Sequence, residues 1–235
     1  MDGAIDLANV HSGIVKTDEA LAMVRKGGAE FTGTFVLVAA GTGAVALGAS
    51  NFGVALAFGC AVGGMILLFG KVSGAHLNPV VSIAFALQGK LEKRNLLPYL
   101  IAQCLGAAAG AFLVYVLNNG VAGMTLPKET LSTSLAFGIE TGITFVLMFM
   151  ILRAPCIVGT SIQRIALLVG ATVGVNAYLF GPMTGASMNP ARTIGPAWVA
   201  GNSEYLWLYL LAPVIGGLIA LAIHRAIPPK EAGCG

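Results

Sequence analysis

Two phrases of the sequence decide the fold: Ser73-Gly-Ala-His-Leu-Asn-Pro-Val80 and, in the second half of the chain, Thr184-Gly-Ala-Ser-Met-Asn-Pro-Ala191. Each phrase places an Asn-Pro pair, a signal for a turn or a helix start, inside strongly apolar surroundings. A loop of a soluble protein is not expected in such surroundings. The repetition therefore predicts a duplicated half-length helix that lies within a membrane.

The composition also indicates a membrane protein. Of the 235 residues, 57% are apolar and 10% are charged, and the mean hydropathy is +0.85, whereas soluble domains average about 25% charged residues. Six apolar stretches have the length of a membrane span, about 20 residues, and they lie near 28–49, 52–70, 96–117, 133–152, 165–181 and 205–224. Shorter apolar segments follow the Asn-Pro pairs, at 79–88 and 190–200. The predicted fold is an all-α membrane protein with six transmembrane helices and two re-entrant half helices.

The distribution of charge predicts the orientation in the membrane. Residues 1–27 contain several acids and no long apolar core, so they resemble a cytoplasmic tail rather than a cleaved signal peptide. With the N-terminus inside, eleven of the thirteen basic residues fall on the cytoplasmic side, and the exceptions are Lys128 and Arg192. The positive-inside rule then places both termini in the cytoplasm of an inner or plasma membrane. The basic excess reports topology, and no nucleic-acid partner is expected.

The repeat extends well beyond the two phrases. Glu30-Phe-Thr-Gly-Thr-Phe-Val-Leu37 matches the segment from Glu140 to Leu147, and Gly106 matches Gly216 with the same displacement along the chain. The organisation is therefore a first repeat at 28–118, an extracellular linker at 119–132, a second repeat at 133–227 and a cytoplasmic tail at 228–235. Because each repeat has three full spans, the second copy is inverted, and the two half helices meet at the midplane.

Four glycines occupy equivalent positions in the two copies. Gly59 and Gly63 lie on the second span, and Gly170 and Gly174 lie on the fifth. Glycines one helical step apart let two helix backbones approach closely, so the pattern predicts a crossing of these spans. The alternative is that they reflect only the high glycine content, 32 residues in the chain.

The Asn-Pro pairs suit a site for neutral polar molecules. A half helix that begins at the midplane presents unpaired N–H groups there, with a partial charge of about +0.5. Pro79 and Pro190 fit the first helical position, while Asn78 and Asn189 fit the caps and keep their amide NH2 groups for the space between the tips. Cysteines and histidines lack ligand spacing, so neither a metal nor a cofactor is expected.

These residues resemble the aquaporin, or major intrinsic protein, family. The two boxes are Asn78-Pro79-Val80 and Asn189-Pro190-Ala191, and the similarity runs from about Glu30 to Arg225. The resemblance implies a single-file pore in each subunit of a homotetramer, with a barrier to protons and ions at the boxes. Val80, in place of the family's alanine, is expected to adjust packing between the half helices.

The resemblance also implies which residues select the solute. The motif spacing assigns the narrow outer filter to Phe58, Ala177, Ala186 and Arg192. Two alanines make this filter wider than that of water-selective relatives, and Thr193 stands where glycerol facilitators carry an aspartate. The phrase around the second box is similar to the nodulin-like intrinsic branch, whose members pass water, glycerol, urea and uncharged metalloid acids. The expected partners are therefore the bilayer, water, small neutral solutes and other copies of this chain.

Several alternatives remain open from the sequence. Glu30 and Glu140 are expected to accept hydrogen bonds from the re-entrant loops, but proton coupling through them would make the protein a secondary transporter. Arg192 is expected to line the pore, with a structural salt bridge as the alternative. His76 has either a structural or a gating role. No nucleophile, base or metal cluster predicts an enzyme.

Overall fold

The computed structural model describes the backbone of residues 7–227 and the side chains of residues 18–227. Within this part of the chain, all regular structure is helical, and six helices are long and apolar enough to cross a membrane. The helices are α1 (Leu7–Ala46), α2 (Asn51–Phe69), α3 (Pro79–Leu87), α4 (Lys93–Asn118), α5 (Thr133–Val158), α6 (Ile162–Thr184), α7 (Pro190–Ala200) and α8 (Leu206–Ala226). The predicted fold class is confirmed, while the predicted tail at 228–235 lies outside the described residues.

The two half helices are α3 and α7. They contain 9 and 11 residues, which at about 1.5 Å per residue makes them roughly half as long as a bilayer core is thick. Each begins with a proline, directly after an asparagine cap with an extended backbone. The local sequence therefore determines where both helices start.

Two predicted boundaries differ from the structure. Helix α1 begins at Leu7, so most of the predicted tail at 1–27 continues the first span as helix. Residues 18–26 are rich in Ala, Glu, Leu and Met, which favour helix whether or not a membrane surrounds them. Helix α5 continues through Pro155 to Val158 instead of ending near 152. Apolarity marks the embedded part of a helix and not its ends.

The packing of the helices repeats between the two copies. Helix α1 packs along α4, and α5 packs along α8. Gly106 lies against the backbone of Phe31, and Gly216 lies in the same way against Thr141. Both glycines leave no room for a side chain, so the constant displacement between the copies in the sequence corresponds to one repeated helix contact.

Helices α2 and α6 cross at the four equivalent glycines. A Cβ atom on Gly59 would lie 2.7 Å from the Gly170 carbonyl oxygen, and one on Gly170 would lie 2.7 Å from that of Gly59. Gly63 has 3.1 Å to the Ala166 oxygen, whereas Gly174 has an ordinary 3.4 Å to the nearest atom. The two backbones are therefore in contact, and Gly59 and Gly170 are the positions with least space.

Candidate functional site

The tips of α3 and α7 are capped in the same way, each by an asparagine side chain. Asn78 Oδ1 accepts a hydrogen bond from the Val80 N–H at 2.9 Å. Asn189 Oδ1 accepts from the N–H groups of Ala191 at 3.0 Å and Arg192 at 3.4 Å. The asparagine side chains thus satisfy the first helical donors, and the prolines that follow have no N–H to satisfy.

The asparagine amides also join the two tips, which corrects the expectation that their NH2 groups are free. Asn78 Nδ2 donates to the Met188 carbonyl at 2.8 Å, and Asn189 Nδ2 donates to the Leu77 carbonyl at 2.7 Å. An amide has two N–H groups. One of each pair therefore locks the opposite loop, and one is left for a molecule between the tips.

Each re-entrant loop wraps around a fully buried glutamate. Glu30 accepts hydrogen bonds from the backbone of His76 and Leu77 and from the side chains of Ser73 and Gln103, at 2.7 to 2.9 Å. Glu140 accepts from the backbone of Ser187 and Met188 and from the Thr184 hydroxyl, at 2.7 to 3.0 Å. Both carboxylates are 0% exposed. The two carboxylates therefore act as templates: their hydrogen bonds fix the conformation of the two re-entrant loops.

These loops are strained, and two tyrosines also hold them. Ala75, Leu77, Ala186 and Met188 have φ between 40° and 54°, a region that residues other than glycine rarely adopt. The hydroxyls of two buried tyrosines donate to the loop carbonyls: Tyr99 to Ser73 at 2.8 Å and Tyr209 to Thr184 at 2.5 Å. This role of the tyrosines was not predicted from the sequence, although their equivalent positions in the two repeats were a signal.

A passage of about 270 Å³ runs past the two tips. Its walls are mainly aliphatic, and its polar groups are concentrated around the tips, where His76, Asn78, Ser187, Asn189 and Arg192 line it. His76 is buried, with its Nδ1 3.1 Å from the Ser82 hydroxyl and its ring against Phe85 and Tyr99. A mainly apolar passage with one group of polar residues at the helix tips suits small uncharged molecules, which can form hydrogen bonds with those residues.

The four predicted filter residues all line this passage. Phe58, Ala177, Ala186 and Arg192 are buried along its wall. The Arg192 guanidinium carbon lies 4.9 Å from the centre of the Phe58 ring, and Nη1 donates to the Gly123 carbonyl at 2.6 Å. Arg192 forms no ion pair with any described carboxylate. The structure therefore gives the guanidinium a ring and a carbonyl as neighbours, not a salt bridge.

A glycine in α1 makes room for the Phe58 ring. The Phe58 side chain lies so close to Gly41 that any Cβ there would overlap it. In the sequence, Gly41 is part of a loose dinucleotide-type pattern, Gly41-Thr-Gly43, that has no structural context for that role. The packing of α1 against α2 shows the structural role of Gly41, which is to leave space for the Phe58 ring.

The linker at 119–132 folds over Arg192 and Thr193, which the sequence did not predict. Beyond the Gly123 carbonyl, the Thr125 hydroxyl lies 2.8 Å from that of Thr193, which lies 2.6 Å from that of Ser187. The Lys128 N–H donates to the Met183 carbonyl at 2.8 Å. The linker thus contacts both the half helix α7 and the end of α6, on either side of the second re-entrant loop. A backbone carbonyl leaves no signature in a sequence, so Gly123 was not identifiable as a partner of Arg192.

Val80, which stands where the family has alanine in the first box, packs against α5 and α8, a contact that the sequence did not predict. Val80 packs with Met148 and Leu221, and its side chain fills the space above Gly217. In the other copy the equivalent positions are Ala191 and Ala107, which share one buried cluster. One copy thus pairs a valine with a glycine where the other pairs two alanines, so the summed side-chain volume is similar in the two copies.

We predict that Gly217→Ala destabilises the protein and that Val80→Ala in the same chain restores it. The new methyl overlaps Val80, whose side chain has little rotational freedom in a helix, so we expect a cost of about 1–3 kcal/mol. Unfolding of the two single variants and the double variant by urea in mild detergent measures the coupling. Additive effects would show that the two positions do not share this space.

The fold and the site together define a class: a helical membrane protein with a buried passage lined by the tips of two half helices. The sequence model described as Major intrinsic protein matches residues 18–224. Aquaporin NIP3-1 of Zea mays is 39% identical over 219 residues, covering 90% of this chain and 72% of the relative. Aquaporin Z of Rhodopseudomonas palustris is 34% identical, covering 87% and 94%. The X-ray structure of the aquaglyceroporin from Plasmodium falciparum superimposes with a TM-score of 0.81 at 30% identity, covering 87% and 96%. The chain belongs to the major intrinsic protein family.

Proposed function

We propose that the protein is a passive channel for water and small uncharged solutes that refuses protons and ions. The observation that carries the proposal is the pair of capped tips, each with an asparagine N–H left over beside one apolar passage. These donors and the opposed helix dipoles orient a central molecule so that it donates outward on both sides, which interrupts proton relay. Arg192 adds a fixed positive charge that repels cations.

The geometry disfavours the alternative of a secondary transporter. Such a transporter needs a coupling group that exchanges a proton or ion. Both oxygens of Glu30 and of Glu140 are occupied by loop donors, and neither residue is exposed. If either carboxylate bound a proton or an ion, it would lose hydrogen bonds to its loop, and the strained loop would be released. The two glutamates therefore support structure.

Stopped-flow measurements on proteoliposomes test the function. We expect faster volume changes than in empty liposomes with water and with at least one of glycerol, urea, boric acid or arsenous acid, and no dissipation of a proton gradient. If proteoliposomes and empty liposomes changed volume at the same rate with water and with every solute, the protein would not be a channel for them. Uphill accumulation driven by an ion gradient would indicate a transporter instead.

We further propose that Phe58, Ala177, Ala186 and Arg192 form the selectivity filter. The support is their common position on the passage wall and the contact between Arg192 and Phe58. Ala177 and Ala186 make their side of the passage apolar, and their small side chains leave it wide. This width favours solutes larger than water, as the nodulin-like resemblance also implies.

Narrowing this wall tests the assignment. Ala177→His together with Ala186→Cys is expected to reduce glycerol or urea permeability about tenfold, since steric discrimination in a pocket is of this order. Water permeability in the same vesicles is the internal control and should fall much less. Unchanged solute permeability would place the filter elsewhere.

We propose that the protein lies in the plasma or inner membrane as a homotetramer with both termini in the cytoplasm. The excess of basic residues on one side supports the orientation, and the family resemblance supports the tetramer. Exposed Lys128 lies in the proposed extracellular linker, so a membrane-impermeant amine reagent should label it in intact cells. The mass of the purified complex measures the number of subunits.

A further inference from the structure

The C-terminal ends of α3, α5 and α8 meet at one boundary of the helix bundle. Ala84, Leu152 and Leu221 belong to one buried cluster that joins these helices. The Arg225 guanidinium then donates to the Leu87 carbonyl at 2.6 Å, which ties the end of α8 to the end of α3. The residues after this cluster in each of the three helices are therefore held close together, where the membrane-spanning helices end.

Three basic side chains lie at this boundary. Lys90 follows α3, Arg153 lies near the end of α5, and Arg225 is in the last turn of α8. His224 precedes Arg225 in the same last turn of α8, and Leu152, the residue before Arg153, shares the buried cluster with Leu221 one turn earlier in α8. Among the described residues, the only ion pairs join Arg94 to Glu19 and Glu92, so no described carboxylate pairs with the cluster.

Two nitrogen atoms of the cluster are enclosed without a partner. Arg153 Nη1 and His224 Nδ1 have no hydrogen bond, and His224 as a whole is 9% exposed. The Oε1 atom of neighbouring Gln88 is also unpaired, and a turn of that amide would present another donor. Enclosed polar atoms without a partner are costly, and Arg153 Nη1 can only donate. The positive-inside rule explains exposed basic residues at a membrane surface, but it does not explain enclosed ones.

We propose that Lys90, Arg153, His224 and Arg225 form a binding site for a phosphate group. A phosphate carries the negative charge that the cluster lacks and the acceptor oxygens that its unpaired nitrogens need, and guanidinium groups bind such oxygens with two parallel hydrogen bonds. The phosphate group can come from an anionic phospholipid or from free phosphate. The site lies where the transmembrane segments Thr133–Val158 and Leu206–Ala226 end, which is the depth of lipid headgroups. It is separate from the passage, so the proposal does not depend on which solute the channel carries.

Binding of phosphatidylglycerol to the purified full-length protein tests the site. The protein is titrated with this lipid in detergent and bound lipid is counted by native mass spectrometry, with phosphatidylcholine as the neutral comparison. A second arm uses inorganic phosphate against chloride at equal ionic strength and follows the unfolding temperature. Lipid binding without an effect of inorganic phosphate identifies the headgroup as the source, and an effect of both identifies a general phosphate site. No effect of either overturns the proposal.

Matched variants separate this site from general surface charge. Arg153→Gln and Lys90→Gln should each weaken phosphatidylglycerol binding about fivefold, the contribution of one basic side chain near an anionic surface. Lys90 is exposed, so its variant keeps the test valid if Arg153→Gln does not fold. Arg164→Gln removes an exposed charge from the start of α6 and should leave binding unchanged. Equal losses in all three variants would show diffuse attraction and overturn the proposal.

Discussion

Replacing Glu30 by alanine is expected to prevent the first re-entrant loop from folding and to abolish channel activity. The substitution removes the acceptor for four donors, the backbone N–H groups of His76 and Leu77 and the side chains of Ser73 and Gln103. A buried donor left without a partner costs about 1–3 kcal/mol, so the total is comparable to the whole stability of a typical domain. Of the contacts named above, only the bonds from Tyr99 to the Ser73 carbonyl and from Asn189 to the Leu77 carbonyl would then remain to hold the strained loop.

Expression, monodispersity in detergent and water permeability together measure this effect. Glu140→Ala removes the acceptor for three donors and should be nearly as severe. Glu129→Ala is the matched control because Glu129 is an exposed residue of the linker. Glu30→Gln keeps one acceptor oxygen, so it should retain more folded protein than Glu30→Ala. A stable and active Glu30→Ala variant would contradict the template role and would reopen the transporter hypothesis.

The features that the sequence predicted are those encoded locally. An asparagine cap followed by a proline defines a helix start through atoms of three consecutive residues, so α3 and α7 began where expected. The duplication then related the two copies and indicated the paired glutamates and glycines. Neither inference needs knowledge of which distant residues are in contact.

The features that the sequence did not predict depend on distant contacts or on backbone atoms. Gly217 has meaning only beside Val80, which lies in the other repeat of the chain. The partner of Arg192 is a carbonyl oxygen in the linker, and any residue carries a carbonyl. The cross-tip bonds of Asn78 and Asn189 likewise end on backbone oxygens, so residue types alone could not reveal them.

The two copies differ where selectivity is proposed. In the first copy, the hydroxyl of Ser82 in α3 contacts His76 and Gln103. In the second copy, the equivalent Thr193 contacts Ser187 and Thr125. A residue of a neighbouring helix thus supports one loop, whereas a linker residue supports the other. The proposed filter is on the side supported by the linker, so changes in the linker can alter this side while the inner half stays intact.

We predict that Gly59→Ala strongly destabilises the protein, because its Cβ would lie 2.7 Å from the backbone oxygen of Gly170. A side-chain obstacle can rotate away, but here the obstacle is the backbone of a crossing helix, so α2 and α6 must separate. Small-residue interfaces in membranes depend on close packing, since the hydrophobic effect does not drive helices together there. We expect a loss of about 3 kcal/mol or more, at the upper end of the cost of overpacking.

Gly64→Ala is the matched control for this prediction. Gly64 lies on the same helix, and a Cβ there would meet no atom within 4 Å. Both substitutions gain the same helix propensity, so only the crossing distinguishes them. Urea unfolding in mild detergent should show a large loss for Gly59→Ala and a neutral or slightly stabilising effect for Gly64→Ala. Similar stability of the two variants would mean that the helices can separate at little cost, and the four glycines would then reflect composition and not a crossing.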